Sequence, residues 1–418
     1  MSIREQVINT AMMAHSAAPE AARLTMGQKE TILNQIAEKM WDERSFLQSE
    51  NARDIEKARS KGLSLPMIDR LTLSDNVLAQ TINGLKEIAS FPDPVGEITR
   101  MWVRPNGMRV GKMRIPLGVI GMIYESRPNV TADAAALCLK AGNACILRGG
   151  SEAYDSNVAI AEIFRTVLED NGINPNAVSL LPTTEREAIL HLVKLEDLVD
   201  LIIPRGGEDL IRFVSENSRI PVVKHYKGVC HLYVDKDVDF SMAVSLAVNA
   251  KAQRPGVCNS LETLLIHSSI SDEFLPKVSR ALQEAGVALR GCERARKIVN
   301  GMTPASEDDW YAEYSALILA VKIVDSIDDA IRHIAKYGSL HTDAIVTKDY
   351  SASQKFLREV NSSTVIVNAS TRMSDGYVFG LGAEIGISTT KIHAYGPMGV
   401  EDLTTTKFIV LGDGQIRE

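Results

Sequence analysis

The segment KAQRPGVCNS places one cysteine, Cys258, on a Pro-Gly bend between a helical pattern and an apolar strand pattern. A nucleophilic cysteine must be a thiolate, which requires a partly exposed and electropositive setting. The bend favours exposure, and Lys251 and Arg254 lie nearby in sequence. The alternative is a buried cysteine that packs as a small apolar side chain, which the surroundings of Cys138 and Cys145 predict for those two. The polar residues that follow Cys258 favour the reactive interpretation.

A second candidate segment, YESRPNVT, follows an apolar strand pattern and begins a helical one. Asn129 could offer its amide to a developing oxyanion, and Arg127 could grip an anionic group with its guanidinium. The alternative is that Asn129 only caps the helix and that Arg127 is a solvated charge. Position alone leaves both interpretations open.

Two glycine-rich turns, LRGGSE and IPRGGEDL, each follow a strand pattern and open a helix. Backbone N–H groups at such helix starts bind phosphates, although ordinary turn glycines explain either segment by itself. Arg148 ends a strand where an acidic residue would select NAD, so a cation there favours the 2′-phosphate of NADP. The candidate cofactor-binding residues of the two turns are Arg148, Gly149, Gly150, Ser151, Arg205, Gly206 and Gly207.

Polar residues also gather late in the chain, in GSLHTDAIVT and STRMSDGYVFGLGAEIG. His341, Arg372 and Asp375 are candidates for substrate binding there, with a core histidine and an ordinary Asp-Gly turn as the alternatives. His225, His231 and His393 have no ligand spacing typical of a metal site, so we expect no metal.

Composition narrows the class of protein. The 418 residues carry a net charge of −7, with 45% hydrophobic and 24% charged residues, which is typical of a globular protein without a nucleic-acid surface. No apolar run approaches the length that spans a bilayer, and the N-terminus lacks the apolar core of a secretory signal. Five scattered cysteines without a CxxC pattern argue against disulfides and zinc, so we expect a cytoplasmic protein.

The elements that must position these residues follow from periodicity. The first ~95 residues predict helices, and EITRMWVRPNGMRVGKMRIP predicts a β-hairpin around Asn106-Gly107. From residue 117, five apolar strands alternate with helices, the last strand being IPVVKHY. This pattern predicts an α/β fold with a doubly wound parallel sheet, which binds ligands at the carboxyl ends of its strands.

A second α/β series follows, from CHLYVD to TVIVNAS, and TTTKFIVLGDG predicts a final strand. We predict no helix between the strands AIVT and TVIVNAS. The expected domains are a cofactor-binding domain over 1–227, which includes a hairpin arm at 97–115, a catalytic domain over 228–390 that carries Cys258, and a C-terminal segment over 391–418.

With these segments assembled, the chain resembles the aldehyde dehydrogenase superfamily nearly end to end. It is most similar to the branch that reduces a γ-glutamyl acyl phosphate in proline biosynthesis. The resemblance is carried by the segments IPLGVIGMIYESRPNVTADAAALCLKAGNACILRGG, LIIPRGGEDLIRFV, QRPGVCNSLETLLIH and FGLGAEIGISTTKIHAYGPMG.

The resemblance implies a role for each matching residue. Cys258 takes the position of the catalytic thiol, Asn129 that of the oxyanion-hole amide, and Glu313 that of the glutamate that contacts the nicotinamide ribose. The two glycine-rich turns match cofactor-binding positions. The hairpin and the C-terminal strand match the arms that join subunits into a homo-oligomer.

One departure from the superfamily pattern concerns His225. It stands where aldehyde-oxidising members carry the glutamate that activates water, and a histidine could still serve as a base. We interpret the change as suppressing hydrolysis of an acyl-enzyme, so that phosphate exchanges with the acyl group instead.

The reaction that the resemblance implies is NADPH-dependent reduction of L-glutamate 5-phosphate to L-glutamate 5-semialdehyde and phosphate, through a thioester on Cys258. Arg127, His341 and Arg372 are then candidates for the α-carboxylate and phosphate, and Asp375 for the α-amino group. Glutamate 5-kinase, which would supply the substrate, is a candidate transient partner. A coenzyme A-acylating aldehyde dehydrogenase and a non-catalytic binding protein are the competing hypotheses.

Overall fold

The computed structural model describes residues 1–125, 127–381 and 383–417, and of Pro66 only the backbone. Ser126, in the YESRPNVT segment, and Gly382, in the late glycine-rich segment, lie outside the described residues. The chain divides into two compact units. The first contains residues 1–224, 380–386 and the chain from Met398 onward, and the second contains residues 225–379 and 387–397.

Five helices open the first unit, as the helical spacing of its apolar residues predicts. Side chains at the start of each of the first two helices form reciprocal hydrogen bonds with the backbone, which satisfies N–H groups that a helix leaves unpaired. The helices are α1 (Ile3–Ala21), α2 (Met26–Asp42), α3 (Arg44–Ser60), α4 (Leu65–Leu71) and α5 (Asp75–Ser90).

The predicted hairpin is confirmed. Strands β1 (Ile98–Val103) and β2 (Arg109–Pro116) pair antiparallel. Gly107 has a φ of +84° at the turn, a conformation that glycine adopts without steric cost. The hairpin belongs to a separate sheet and leaves several apolar side chains exposed.

A four-stranded parallel sheet forms the core of the first unit, in the order β5-β4-β3-β6. Helices separate its strands, which confirms the predicted doubly wound pattern. The elements are β3 (Val119–Tyr124), α6 (Pro128–Lys140), β4 (Ala144–Arg148), α7 (Tyr154–Asp170), β5 (Val178–Leu180), α8 (Glu187–Leu192), β6 (Leu201–Arg205) and α9 (Glu208–Asn217).

The prediction that IPVVKHY forms a fifth strand of this sheet is wrong. The segment makes a single parallel bridge, between Val222 and Ile202 of β6. Ile202 donates its N–H to the carbonyl of Pro221 and its own carbonyl accepts from the N–H of Val223, but the segment is not part of a described strand. The apolar side chains of this segment therefore resemble those of a buried strand, although its backbone does not form a strand's hydrogen-bond ladder.

The second unit is built on a seven-stranded parallel sheet in the order β10-β9-β11-β8-β7-β12-β13. Its central strands, β7, β8 and β12, are almost wholly buried. The elements are β7 (Cys230–Val234), α10 (Phe240–Ala252), β8 (Leu261–His267), α11 (Ser271–Glu284), β9 (Ala288–Gly291), α12 (Glu293–Ile298), β10 (Thr303–Pro304), β11 (Ile318–Val324), α13 (Ile327–Tyr337), β12 (Thr342–Val346), α14 (Tyr350–Glu359) and β13 (Thr364–Val367).

Helix α14 was not predicted. It buries only Ser353 and Phe356, so few apolar residues mark it in the sequence. Asp349 begins the helix by accepting hydrogen bonds from the N–H groups of Ser351 and Ala352. This cap was the signal available in the sequence.

Three strands complete the fold. Strands β14 (Gly386–Ser388) and β15 (Gly396–Met398) form a two-stranded sheet. Strand β16 (Thr404–Leu411) pairs antiparallel with β2, so the predicted final strand joins the hairpin as a third strand. None of the helices within the described ranges has both the length and the apolarity needed to cross a membrane.

Candidate active site

Cys258 lies on the loop between α10 and β8 in the second unit, with its side chain half-buried. Cys138, Cys145 and Cys230 are buried instead. A Cβ atom added to Gly228 would lie 1.8 Å from the carbonyl oxygen of Cys258, so another part of the backbone packs directly against the loop. This close approach requires glycine at position 228.

Two histidines flank the thiol. One ring nitrogen of His225, one of His341 and the Sγ of Cys258 all lie within 4.8 Å of one another. The two imidazole rings meet edge to face, with centroids 5.7 Å apart. The fold thus brings together Cys258, predicted as a nucleophile, His341, predicted to bind substrate, and His225, predicted to replace a water-activating glutamate.

His341 is fully buried. Its Nδ1 lies 2.8 Å from the hydroxyl of Thr342 and 3.9 Å from the Sγ of Cys230. Burial, with a smaller effect from His225, lowers the pKa of His341 to about 3. The ring beside the thiol is therefore neutral at physiological pH.

Hydrogen bonds to the neighbouring residue Asn259 hold the loop. Its amide donates to the carbonyl of Ser374 at 2.9 Å, and its own carbonyl accepts from Thr371 at 2.8 Å. The guanidinium of Arg372 donates to the side-chain oxygen of Asn259. Arg372, predicted to bind substrate, therefore also anchors the loop, whereas Asp375 accepts the N–H groups of two residues in its own turn.

A buried ion pair brackets the same loop. Lys251, at the end of α10, lies 2.6 Å from the carboxylate of Glu262 in β8, and both side chains are fully buried. Burial raises the pKa of Glu262 to about 7, and the nearby charge of Glu313 adds to the increase. Burial likewise lowers the pKa of Lys251. Glu313, predicted to contact a ribose, is thus close enough to act on this pair electrostatically.

Asn129 lies in the first turn of α6 in the first unit, half-buried. Its amide donates to the carboxylate of Asp133 at 3.3 Å, and burial raises the pKa of Asp133 to about 6. The helix-capping alternative is wrong, because Arg127 and not Asn129 occupies the cap position. The role of Asn129 as an oxyanion donor stays a prediction.

The turn after β4 contains the first group of predicted cofactor ligands. The guanidinium of Arg148 donates to the carbonyl of Thr184 at 2.5 Å, and its buried Nε has no partner among the described residues. A Cβ atom on Gly149 would lie 2.1 Å from the amide nitrogen of Asn157. Gly150 is buried and Ser151 is exposed. The backbone at Gly149 therefore packs directly against the side chain of Asn157.

The turn after β6 contains the second group. The N–H of Gly207, the residue immediately before α9, donates to the carboxylate of Glu125 at 3.0 Å. A Cβ atom on Gly206 would lie 2.7 Å from the same carboxyl group. A carboxylate therefore occupies the helix start where we predicted a phosphate, and sequence reasoning missed Glu125. Glu125 could not be predicted there because the sequence does not reveal that β3 pairs with β6 in the sheet.

Comparison with known proteins supports one family. Residues 2–292 match the model of the aldehyde dehydrogenase family. Two curated relatives align with this chain over its full length and over their own full length, and both are called gamma-glutamyl phosphate reductase. One is from Geobacter metallireducens and is 58% identical, and the other is from Geotalea daltonii and is 57% identical. The crystal structure of gamma-glutamyl phosphate reductase from Thermotoga maritima, 44% identical, covers 99% of this chain and 100% of its own, with a TM-score of 0.97.

Proposed function

The chain belongs to the aldehyde dehydrogenase family, and from that premise we propose that it reduces L-glutamate 5-phosphate to L-glutamate 5-semialdehyde and phosphate, with NADPH as reductant. Full-length relatives at 57% and 58% identity named for this reaction support the substrate. The observation that carries the chemistry is the half-buried Cys258 thiol on an anchored loop beside the neutral imidazole of His341. This is the second step of proline biosynthesis.

The covalent step begins at Cys258. Its thiolate forms a bond to the acyl carbon, and the carbonyl π electrons move to oxygen, where the amide of Asn129 and the N–H of Cys258 are proposed to stabilise the charge. The carbonyl then re-forms and phosphate departs with the C–O bonding electrons. The product is a thioester on Cys258.

The turns after β4 and β6 fit a nucleotide cofactor. In the first turn, the buried Nε of Arg148 has no partner among the described residues. In the second turn, the N–H of Gly207, just before α9, binds the carboxylate of Glu125, which is an anion as phosphate is. We propose that Arg148 and Ser151 hold the adenosine phosphate and ribose, and that Glu313 holds the nicotinamide ribose. When bound, the reduced nicotinamide supplies the hydride that converts the thioester to the aldehyde. Comparing kcat/KM for NADPH and NADH tests the 2′-phosphate assignment.

His225 is proposed to keep water from competing. Its Nδ1 lies 3.1 Å from the carbonyl of Ile387, which can only accept a hydrogen bond, so Nδ1 carries a proton. A glutamate in this position would be a stronger candidate for activating water against a thioester. We therefore expect His225→Glu to raise the rate at which the acyl-enzyme hydrolyses to free glutamate.

Four side chains are proposed to hold the substrate. Arg127 and Arg372 would bind its phosphate and α-carboxylate, because a guanidinium matches both groups geometrically. Asp375 would meet the α-amino group. His341 would contact the substrate from its buried position beside the thiol.

The three-stranded sheet of β1, β2 and β16 is the proposed contact between subunits of a homo-oligomer. It exposes apolar side chains that a monomer would leave in water, among them Val103, Phe408 and Val410. We also propose a cytoplasmic location and a transient association with glutamate 5-kinase, whose product is the substrate.

The oxidative direction distinguishes this function from its alternatives. Purified protein is given glutamate 5-semialdehyde and NADP⁺, with phosphate, coenzyme A or neither, and nicotinamide absorbance is followed. Phosphate-dependent reduction of NADP⁺ supports the proposal, a requirement for coenzyme A supports the acylating alternative, and cofactor binding without turnover supports a binding protein. Cys258→Ala must abolish turnover while NADPH binding persists, and Cys292→Ala, which alters another half-buried thiol, must retain activity.

A further inference from the structure

The cluster of His225, Cys258 and His341 has a second chemical capability, because it is a donor set for a soft metal ion. One thiol and two imidazoles converge within 4.8 Å, all in the second unit. Thiolate and imidazole are the ligands that Zn²⁺ and Cu⁺ prefer. Spacing along the sequence could not indicate this set, because the three residues come from separate segments.

Contacts of the two Nδ1 atoms orient the rings. The Nδ1 of His341 is engaged by the hydroxyl of Thr342, and its Nε2 is buried without a partner among the described residues. The Nδ1 of His225 faces the carbonyl of Ile387. Metal-binding histidines are held by such a bond from the other ring nitrogen, which fixes the tautomer.

The distances suit a tetrahedral ion after small movements. Around Zn²⁺, an imidazole nitrogen and a thiolate sulfur lie about 3.6 Å apart, and two imidazole nitrogens about 3.4 Å apart. Since no pair of donor atoms in the cluster exceeds 4.8 Å, each must close by at most about 1.4 Å, which side-chain rotation provides. Cys258 and His225 are half-buried, so an ion can reach the cluster from solvent.

We propose that His225, Cys258 and His341 form a binding site for a thiophilic divalent cation of the Zn²⁺ class, which masks the Cys258 thiol. Binding forms a metal–sulfur bond and releases the thiol proton to solvent. No oxidation takes place, and a chelator that removes the ion restores the thiol. Inhibition by the ion rests on the proposed function of Cys258, whereas binding itself does not.

The test uses Co²⁺ as a spectroscopic substitute for Zn²⁺ on full-length, reduced protein without a polyhistidine tag. Co²⁺ bound by a thiolate gives a sulfur-to-metal charge-transfer absorption, which we expect at one ion per chain and reversible by Zn²⁺. Cys258→Ser should abolish this absorption. His225→Gln and His341→Gln should each weaken Co²⁺ binding by at least about 10- to 100-fold.

Two matched controls separate the cluster from similar residues elsewhere in the second unit. Cys292→Ser removes another half-buried thiol, and His333→Gln removes another buried imidazole whose Nε2 has no partner among the described residues. Both controls should bind Co²⁺ like the unaltered protein.

Charge transfer that survives Cys258→Ser, or that disappears equally in Cys292→Ser, overturns the proposal, as does Co²⁺ binding without any charge transfer. Because His341→Gln alters a buried site, circular dichroism checks its fold, and the conservative Cys258→Ser change decides the outcome if that variant fails to fold. Co²⁺ binding by a protein without phosphate-dependent turnover would refute the proposed function and leave the metal site intact.

Discussion

The buried pair of Lys251 and Glu262 should stabilise the loop that holds Cys258, and Glu262→Gln tests this directly. The two side chains are fully buried and 2.6 Å apart, on either side of the loop. Removing one member of a buried ion pair costs about 3–5 kcal/mol, because the other charge stays buried without compensation. We expect a loss of this size in the free energy of unfolding, together with reduced turnover.

Urea denaturation followed by circular dichroism measures the loss, with Glu293→Gln as the matched control. Glu293 pairs with Lys297 at a similar distance, 2.7 Å, but both side chains are exposed. An exposed pair is screened by water, so the control should unfold almost as the unaltered protein does. Because the chain has two units, the comparison is between midpoints of the same transition.

A double variant and a pH series identify the cause. Lys251→Met combined with Glu262→Leu removes both charges, so it should be more stable than Glu262→Gln alone. In Glu262→Gln, burial holds the pKa of Lys251 below its ordinary value, so the unfolded chain binds more protons. Stability should then rise with pH toward the ordinary lysine pKa. The reasoning is refuted if Glu262→Gln costs no more than Glu293→Gln, or if the double variant is the less stable of the two.

Three further predictions follow from single contacts. Gly228→Ala must displace the backbone of Cys258, and a shift of about 1 Å should lower kcat about 100-fold. The control Gly27→Ala changes a glycine in α2 that has open space around it, and it should leave kcat unchanged. The pKa of His341 is lowered to about 3, so the folded protein binds fewer protons than the unfolded chain below pH 6.5. The free energy of unfolding should therefore fall as pH falls from about 6.5 to 3. In His341→Gln this fall should be shallower, and an equal slope in both proteins would contradict the lowered pKa of His341. Glu125→Gln removes a negative charge from the start of α9 and should strengthen NADPH binding about two- to fivefold, measured by fluorescence titration; weaker binding would mean that Glu125 is not competing with a phosphate.

Local sequence patterns predicted most of the fold. Asn106-Gly107 predicted the hairpin because that dipeptide adopts the required turn at little cost, and continuous apolar runs predicted the buried parallel strands. The same apolar signal failed for IPVVKHY, because hydrophobicity does not reveal whether a hydrogen-bond ladder continues. It also missed α14, which buries little apolar surface.

By itself the sequence determined that Cys258 stands on a polar bend before a buried strand, since Pro-Gly and the following apolar run are local signals. Only the tertiary structure decided what surrounds the thiol. His225 and His341 reach it from different segments, Gly228 packs against its carbonyl, and Glu262 compensates the buried Lys251. These contacts depend on strand order and register, which arise from long-range packing that no local pattern records.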